Sequence, residues 1–186
     1  MTKMEKQSES RKRVIVIAEA GVNHNGDINL ARRMVAEARK AGADYVKFQT
    51  AVPELVISSI APKAEYQKET TGTQQSQLEM CRAIHLPLTD YEGLAELCRQ
   101  EGIGFMSTPF DLVSIDTLAS LGMDYWKIPS GEITNLPYLR KIGRRGERVI
   151  MSTGMATLPE VEAAVKVLEQ AGTPRTSVWL LHCTTQ

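Results

Sequence analysis

One repeated pattern restricts the fold of this chain more than any other feature. A short apolar, often β-branched run ends in polar residues, a helix-like stretch follows, and a glycine precedes the next run. The runs are residues 14–19, 45–49, 104–108, 125–128, 148–152 and 177–182. They are nearly continuous rather than alternating, as in parallel strands buried on both faces. The stretches between them carry helix signals. Asp27 can cap a helix whose apolar side is Leu30, Ala31, Met34, Val35 and Ala38, with Gly42 as its stop. Thr89-Asp90-Tyr91-Glu92 and Thr157-Leu158-Pro159-Glu160 both read as capping boxes, closed by Gly102 and Gly172. A weaker helix is expected over 113–121, a short one near Asn135 and another over 74–84. Residues 51–72 break the rhythm with Pro, Glu, Lys, Thr and Ser and read as a long loop, which in a compact domain is usually functional or mobile.

Alternating strands and helices imply an α/β fold with a parallel sheet. An open doubly wound sheet and a TIM (β/α)8 barrel compete. A barrel has eight units and typically ~250 residues, whereas this chain of 186 residues shows about six and stops at Thr185-Gln186, directly after a strand. The expectation is an α/β chain, a TIM barrel truncated after about six strand–helix units. Residues 1–12 read as a disordered basic arm and 13–186 as the partial barrel.

The composition is that of an ordinary globular domain, 42% hydrophobic and 24% charged, with zero formal net charge. That balance argues against a broad nucleic-acid surface, though not against a local basic pocket. Arg11-Lys12-Arg13 before Val14 to Ala18 resembles a signal peptide, but the apolar run is too short, and no stretch reaches membrane-spanning length. Three cysteines without ligand spacing suit a reducing cytoplasm, and Cys98 reads as core.

In parallel α/β folds the working residues stand at the carboxyl ends of strands. Here those ends carry Glu19, Asn23 and His24; Lys47 and Gln49; Ser107 and Thr108; Lys127, Ser130 and Glu132; Ser152 and Thr153; and His182, Thr184 and Thr185. The two lysines inside apolar runs are the sharpest signal, because lysine is almost never buried unpaired. Pointing to one mouth, with Thr108, Ser130 and Ser152 as neutral donors, they would suit a small anion carrying phosphate and carboxylate. The structural alternative pairs each lysine with a carboxylate such as Glu19 or Glu132. Asn23 to Asp27 reads as a turn and helix cap, His182 as a packed strand-end histidine and His85 as loop. Dinucleotide and Walker-type glycine loops are absent.

These segments resemble the sialic acid synthase family. Ile17-Ala18-Glu19-Ala20-Gly21-Val22-Asn23-His24-Asn25-Gly26, Val46-Lys47-Phe48-Gln49-Thr50, Ser107-Thr108-Pro109-Phe110, Lys127-Ile128-Pro129-Ser130-Gly131-Glu132, Ser152-Thr153-Gly154-Met155 and His182-Cys183-Thr184 follow the family's order and rough spacing. The Thr-Thr after His-Cys is nearest the subgroup making N,N′-diacetyllegionaminate. The resemblance implies a barrel followed by an antifreeze-like domain, in a homodimer. It implies that Lys47, Thr108, Lys127, Ser130 and Ser152 hold phosphoenolpyruvate. Thr185 stands where bacterial sialic acid synthases place an Asn. Gln49 and Glu132 match positions facing an N-acetylated amino sugar. A divalent metal, Mn2+ or Mg2+, would be held by histidines beyond Gln186, so no metal ligand is expected within this chain.

The implied reaction joins carbon 3 of phosphoenolpyruvate to the sugar's aldehyde carbon. Water adds at carbon 2, and phosphate leaves with its C–O bond. Lys47, Lys127, Glu132 and Glu19 are the implied catalytic residues, with Glu19 either structural or ordering water. N-acetylneuraminate synthesis is the alternative product, and a non-catalytic binding remnant is the alternative class.

Overall fold

The computed structural model describes residues 14–62 and 76–183. The 1–12 arm, much of the 51–72 loop, Thr184 and Thr185 lie outside the described residues. Six strands occur among those described: β1 (Ile17–Gly21), β2 (Tyr45–Thr50), β3 (Gly104–Pro109), β4 (Trp126–Ile128), β5 (Val149–Ser152) and β6 (Val178–Leu181). Helices α1 (Ile28–Lys40), α2 (Pro53–Val56), α3 (Gln77–Ile84), α4 (Asp90–Glu101), α5 (Leu112–Ala119), α6 (Leu136–Gly143) and α7 (Leu158–Ala171) are interspersed with them. Every ladder is parallel, and the strands form two three-stranded sheets ordered β1-β2-β3 and β4-β5-β6.

The sheets meet along β3 and β4 without a ladder between them. At this seam the Ser107 N–H donates to Met123 Sδ at 3.3 Å. Side chains tie the rest of the junction. The Tyr45 hydroxyl donates to Asp124, and the Tyr138 hydroxyl donates to the Pro109 carbonyl, both at 2.8 Å. Beneath the helices lies one core, in which Phe48, Leu94, Leu118, Trp126, Ile128, Leu139 and Leu168 are fully buried. The outer strands are different. Val14, Ile15 and Val16 before β1, and Trp179, Leu180 and Leu181 in β6, are all exposed.

Local signals explain most boundaries. Asp27 caps α1, accepting from the Asn29 N–H at 2.8 Å. Gly102 ends α4 in the left-handed conformation, φ 67°. Glu160 accepts from the Thr157 N–H at 2.7 Å. The expected box at Thr89 does not form. Thr89 is itself helical, and the Asp90 and Tyr91 N–H groups donate back to Pro87 and Leu88, so a turn already precedes the helix. Strand β1 begins at Ile17 rather than Val14, and α2 occupies part of the expected loop. Two glycines are set by close packing. A methyl at Gly104 would overlap the ring of Tyr45, its register partner on β2. At Gly143 a methyl would come within 2.6 Å of Ala171 Cβ, where α6 crosses α7.

Candidate functional site

Lys47 and Lys127 lie at the centres of β2 and β4 and are 9% and 8% exposed. Strand register fixes their partners. Glu19 stands opposite Lys47 in the β1–β2 ladder, and the two side chains form an ion pair. The Lys47 ammonium also reaches Thr108 Oγ1 at 3.4 Å. Lys127 takes neutral partners instead, donating to Ser152 Oγ at 2.7 Å and to the Ile128 carbonyl at 2.8 Å. The carboxylate alternative thus holds for Lys47 with Glu19 but not for Lys127. Glu132 accepts instead from Asn135 Nδ2 at 2.6 Å.

The two ammonium groups feel each other. Burial, then the charge of Lys47, pushes the Lys127 pKa down to about 8, against opposing pulls from Cys183 and Glu19. Cys183 was not expected here. The Gly154 N–H, followed by the Ser152 hydroxyl, the Thr153 N–H and the Lys127 charge, holds its thiol below the usual range. Backbone N–H groups, a hydroxyl and a buried ammonium facing one sulfur make an environment that favours negative charge.

Behind this cluster the chain turns tightly. Gly21 has φ +56°, and a methyl there would lie 3.3 Å from Glu19 Oε1 and 3.5 Å from Gln49 Nε2. The Gln49 amide and the Glu19 carboxylate therefore share one corner. Gln49 and Glu132 line a cavity of about 510 Å³ together with Gln77, Cys81 and His85 and the apolar Leu55, Val56, Ile57, Met80, Ile84 and Phe110. The Tyr91 hydroxyl, its pKa pushed up to about 12 by burial, donates to the Gln49 carbonyl at 2.6 Å and steadies that strand end. Ser130 opens a separate cavity of about 350 Å³ beside Met155 and Glu160.

Asp111 supports the cavity indirectly, through the chain that enters α2. Buried at the start of α5, it accepts from the Ser114 N–H and hydroxyl at 2.7 and 2.6 Å, and from the Val52 N–H at 2.8 Å. The last bond anchors the chain entering α2. The segment from Asn23 to Asp27 is the expected run of turns and cap, with His24 buried and its Nδ1 accepting from the Gly26 N–H at 3.2 Å. Burial, then His85, lowers the His24 pKa. His182 was expected to pack but is exposed, because β6 is the edge of its sheet. Among the described residues no three His, Cys, Asp or Glu side chains are grouped to hold a metal, and no helix is long and apolar enough to cross a membrane. The described residues do not by themselves form a metal site.

Two buried ammonium groups, strand-end hydroxyls and an adjoining half-apolar cavity together describe a receptor for a compact anion beside a larger neutral partner. The chain is 50% identical to an N,N′-diacetyllegionaminic acid synthase of Campylobacter jejuni, over 94% of this chain and 52% of that one. It is 47% identical to a Legionella pneumophila protein of the same name, over 91% of this chain and 48% of that one. The chain therefore spans about half the length of these curated relatives. A crystal structure of the N-acetylneuraminic acid (sialic acid) synthetase of Leptospira borgpetersenii superposes with a TM-score of 0.76 at 31% identity, over 93% of this chain and 55% of that one. The NeuB family matches residues 34–186, which include both lysines, both cavities and every described strand but β1, and the chain belongs to that family of sialic acid synthases.

Proposed function

We propose that this chain is the phosphoenolpyruvate-holding part of a nonulosonic acid synthase, and that its two sheets are consecutive parts of one (β/α)8 barrel. The product we assign is N,N′-diacetyllegionaminate, made from phosphoenolpyruvate and an N-acetylated amino-sugar aldehyde with release of phosphate. The observation that carries this reading is the pair of buried ammonium groups on β2 and β4, close enough for one to depress the other.

Each residue has a task in this scheme. Lys47 and Lys127 hold the carboxylate and phosphate, with Thr108, Ser130, Ser152 and Thr185 as hydroxyl donors. A dianion arriving between two lysines raises the Lys127 pKa again and secures its charged form, since opposite charge offsets burial. Carbon 3 of the bound enol then attacks the aldehyde carbon, water adds at carbon 2, and the C–O bond to phosphate breaks. Charge gathers on the departing phosphate, where fixed ammonium groups stabilise it more than they do the ground state. Gln49 and Glu132 face the sugar, and Glu132 is placed to move a proton at its aldehyde end. Glu19 keeps Lys47 neutralised until the substrate arrives. A homodimer, a cytoplasmic setting and a divalent metal held by residues outside this chain complete the proposal.

The test is product analysis with the protein expressed from its whole gene, phosphoenolpyruvate and each candidate sugar. A legionaminate-type product confirms the assignment. Phosphate release with N-acetylmannosamine alone replaces it with N-acetylneuraminate synthesis. The absence of any phosphoenolpyruvate-dependent product favours a binding remnant.

A further inference from the structure

Helices α2 and α3 wall the 510 Å³ cavity, and α3 with its closing residue brings Gln77, Cys81 and His85 to it from one face. Gln77 Oε1 is buried and has no hydrogen-bond partner among the described residues. His85 ends the helix, and the Cys81 carbonyl accepts its backbone N–H at 3.3 Å and its ring Nδ1–H at 2.9 Å. A carbonyl oxygen only accepts, so the neutral ring carries its proton on Nδ1 and its lone pair on Nε2. The ring's described hydrogen bonds all fall on Nδ1, which leaves Nε2 as the free basic atom. Burial lowers the pKa of the ring, against the opposing pulls of the Cys81 carbonyl and Asp111, so His85 is an uncharged base at neutral pH. The ring is also held in place. The β1–α1 turn packs so closely on the end of α3 that a methyl at Gly26 would come within 2.6 Å of the Ala83 carbonyl oxygen.

An N-acetylated amino sugar in water is almost entirely a closed hemiacetal ring. Its anomeric carbon accepts the carbon of an enol only after the ring opens to the aldehyde. Opening moves a proton from the anomeric hydroxyl to the ring oxygen, and both oxygens are bonded to the same carbon. One base that takes a proton and returns it can serve both. Resting on the synthase reading above, we infer that His85 opens the sugar ring inside this cavity, so that the protein interconverts the sugar's anomers even without phosphoenolpyruvate. Nε2 takes the proton of the anomeric hydroxyl, and that O–H electron pair becomes the second bond of the aldehyde C=O. The bond from the anomeric carbon to the ring oxygen breaks with its electrons on the ring oxygen, which the imidazolium then protonates. No proton is gained or lost. Gln77 Oε1 accepts from a hydroxyl or amide of the ring and holds it beside His85. Glu132, which shares the cavity, is left for the later proton transfer at the aldehyde.

The experiment uses the protein expressed from its whole gene and two sugars, a trideoxyhexose with two acetamido groups and N-acetylmannosamine. NMR exchange spectroscopy on the anomeric protons, without phosphoenolpyruvate, reads ring opening directly. The wild type should speed anomer exchange of at least one sugar in proportion to protein concentration. His85→Gln keeps a hydrogen-bonding side chain but cannot cycle a proton, and its acceleration should be about 100-fold smaller. His85→Asn serves the same comparison, and phosphoenolpyruvate affinity within about twofold of the wild type shows that a variant is folded. With phosphoenolpyruvate added, phosphate release by the wild type should stay proportional to enzyme concentration. Release by the variants should level off at the sugar's spontaneous opening rate. No acceleration by the wild type, or equal acceleration by a folded variant, overturns the inference. Phosphate release without faster anomer exchange also overturns it and leaves the synthase reading standing. Exchange that depends on His85, with no phosphate released from phosphoenolpyruvate, supports the inference and sinks the synthase reading.

Discussion

Lys47 and Lys127 are matched in burial and position but not in company: Lys47 is ion-paired with Glu19, whereas Lys127, among the described residues, donates to the Ser152 hydroxyl and a carbonyl. An ammonium held by neutral acceptors next to a second ammonium is the one that gives up its proton first, and its pKa of about 8 places that loss just above neutrality.

Anion affinity and stability should therefore respond to pH in opposite directions. The folded pKa of Lys127 lies below the ordinary value of 10.5, so the unfolded chain binds more protons between about 8 and 10.5. Across that window this group's contribution to stability rises with pH. Phosphoenolpyruvate affinity should fall across the same window as the binding charge is lost. Calorimetric titration and urea unfolding from pH 6.5 to 10 check both signs, and Lys127→Met should flatten both dependences. That variant should bind phosphoenolpyruvate about 100-fold more weakly, roughly 3 kcal/mol, yet unfold at a higher urea concentration than the wild type at pH 7.

Glu19→Gln should tighten anion binding several-fold. The Glu19 side chain is half exposed, so the ion pair contributes at most about 1 kcal/mol to stability. Its larger effect is to occupy the Lys47 charge that an incoming anion needs. Without it, repulsion between the lysines grows, and the pH midpoint for anion binding should move down. Weaker binding would show that the carboxylate positions Lys47 rather than competing for it.

Asp111→Ala should cost about 2–4 kcal/mol in urea unfolding, since it removes a helix cap and leaves the Val52 and Ser114 donors unpaired. The sugar KM should rise while phosphoenolpyruvate affinity stays nearly constant, because the α2 wall is loosened and the lysines are untouched.

Two glycines in the second sheet's half of the chain should behave differently. Gly143→Ala forces a methyl against Ala171 and Leu168 and should destabilise by about 1–3 kcal/mol. Gly131→Ala meets nothing within 4 Å and should stay within about 0.5 kcal/mol of the wild type. Thermal unfolding of the pair decides whether helix packing, rather than glycine content, controls stability here.

Expressed as these 186 residues, the protein should self-associate. Trp179, Leu180 and Leu181 on β6, and Val14 to Val16 before β1, expose strand-edge apolar surface of the kind that pairs with other chains. Light scattering across a concentration series tests this, and a monodisperse monomer at every concentration would refute it.

The parts legible in the sequence are those written in one stretch of chain. Lys47 and Lys127 stood out because a charge inside an apolar run has no other cheap explanation, and Thr108 and Ser152 because strand ends converge in parallel sheets. The parts that escaped depend on distant meetings. Cys183 gains its surroundings from the loop after β5. Asp111 caps the helix expected over 113–121, and one of its bonds goes to Val52, far back in the chain, which no local pattern displays. The Thr89 box fails because Pro87 and Leu88 already begin a turn, which a motif starting at Thr89 does not display.

The seam between the sheets has a mechanical meaning. Where a fifth ladder could have joined β3 to β4, a thioether sulfur receives the Ser107 N–H, and sulfur is a weak acceptor. One lysine rides on each side of that soft joint. On the function proposed, an anion gripped by both ammonium groups would be a rivet across two stiff plates, adding rigidity that the backbone leaves out.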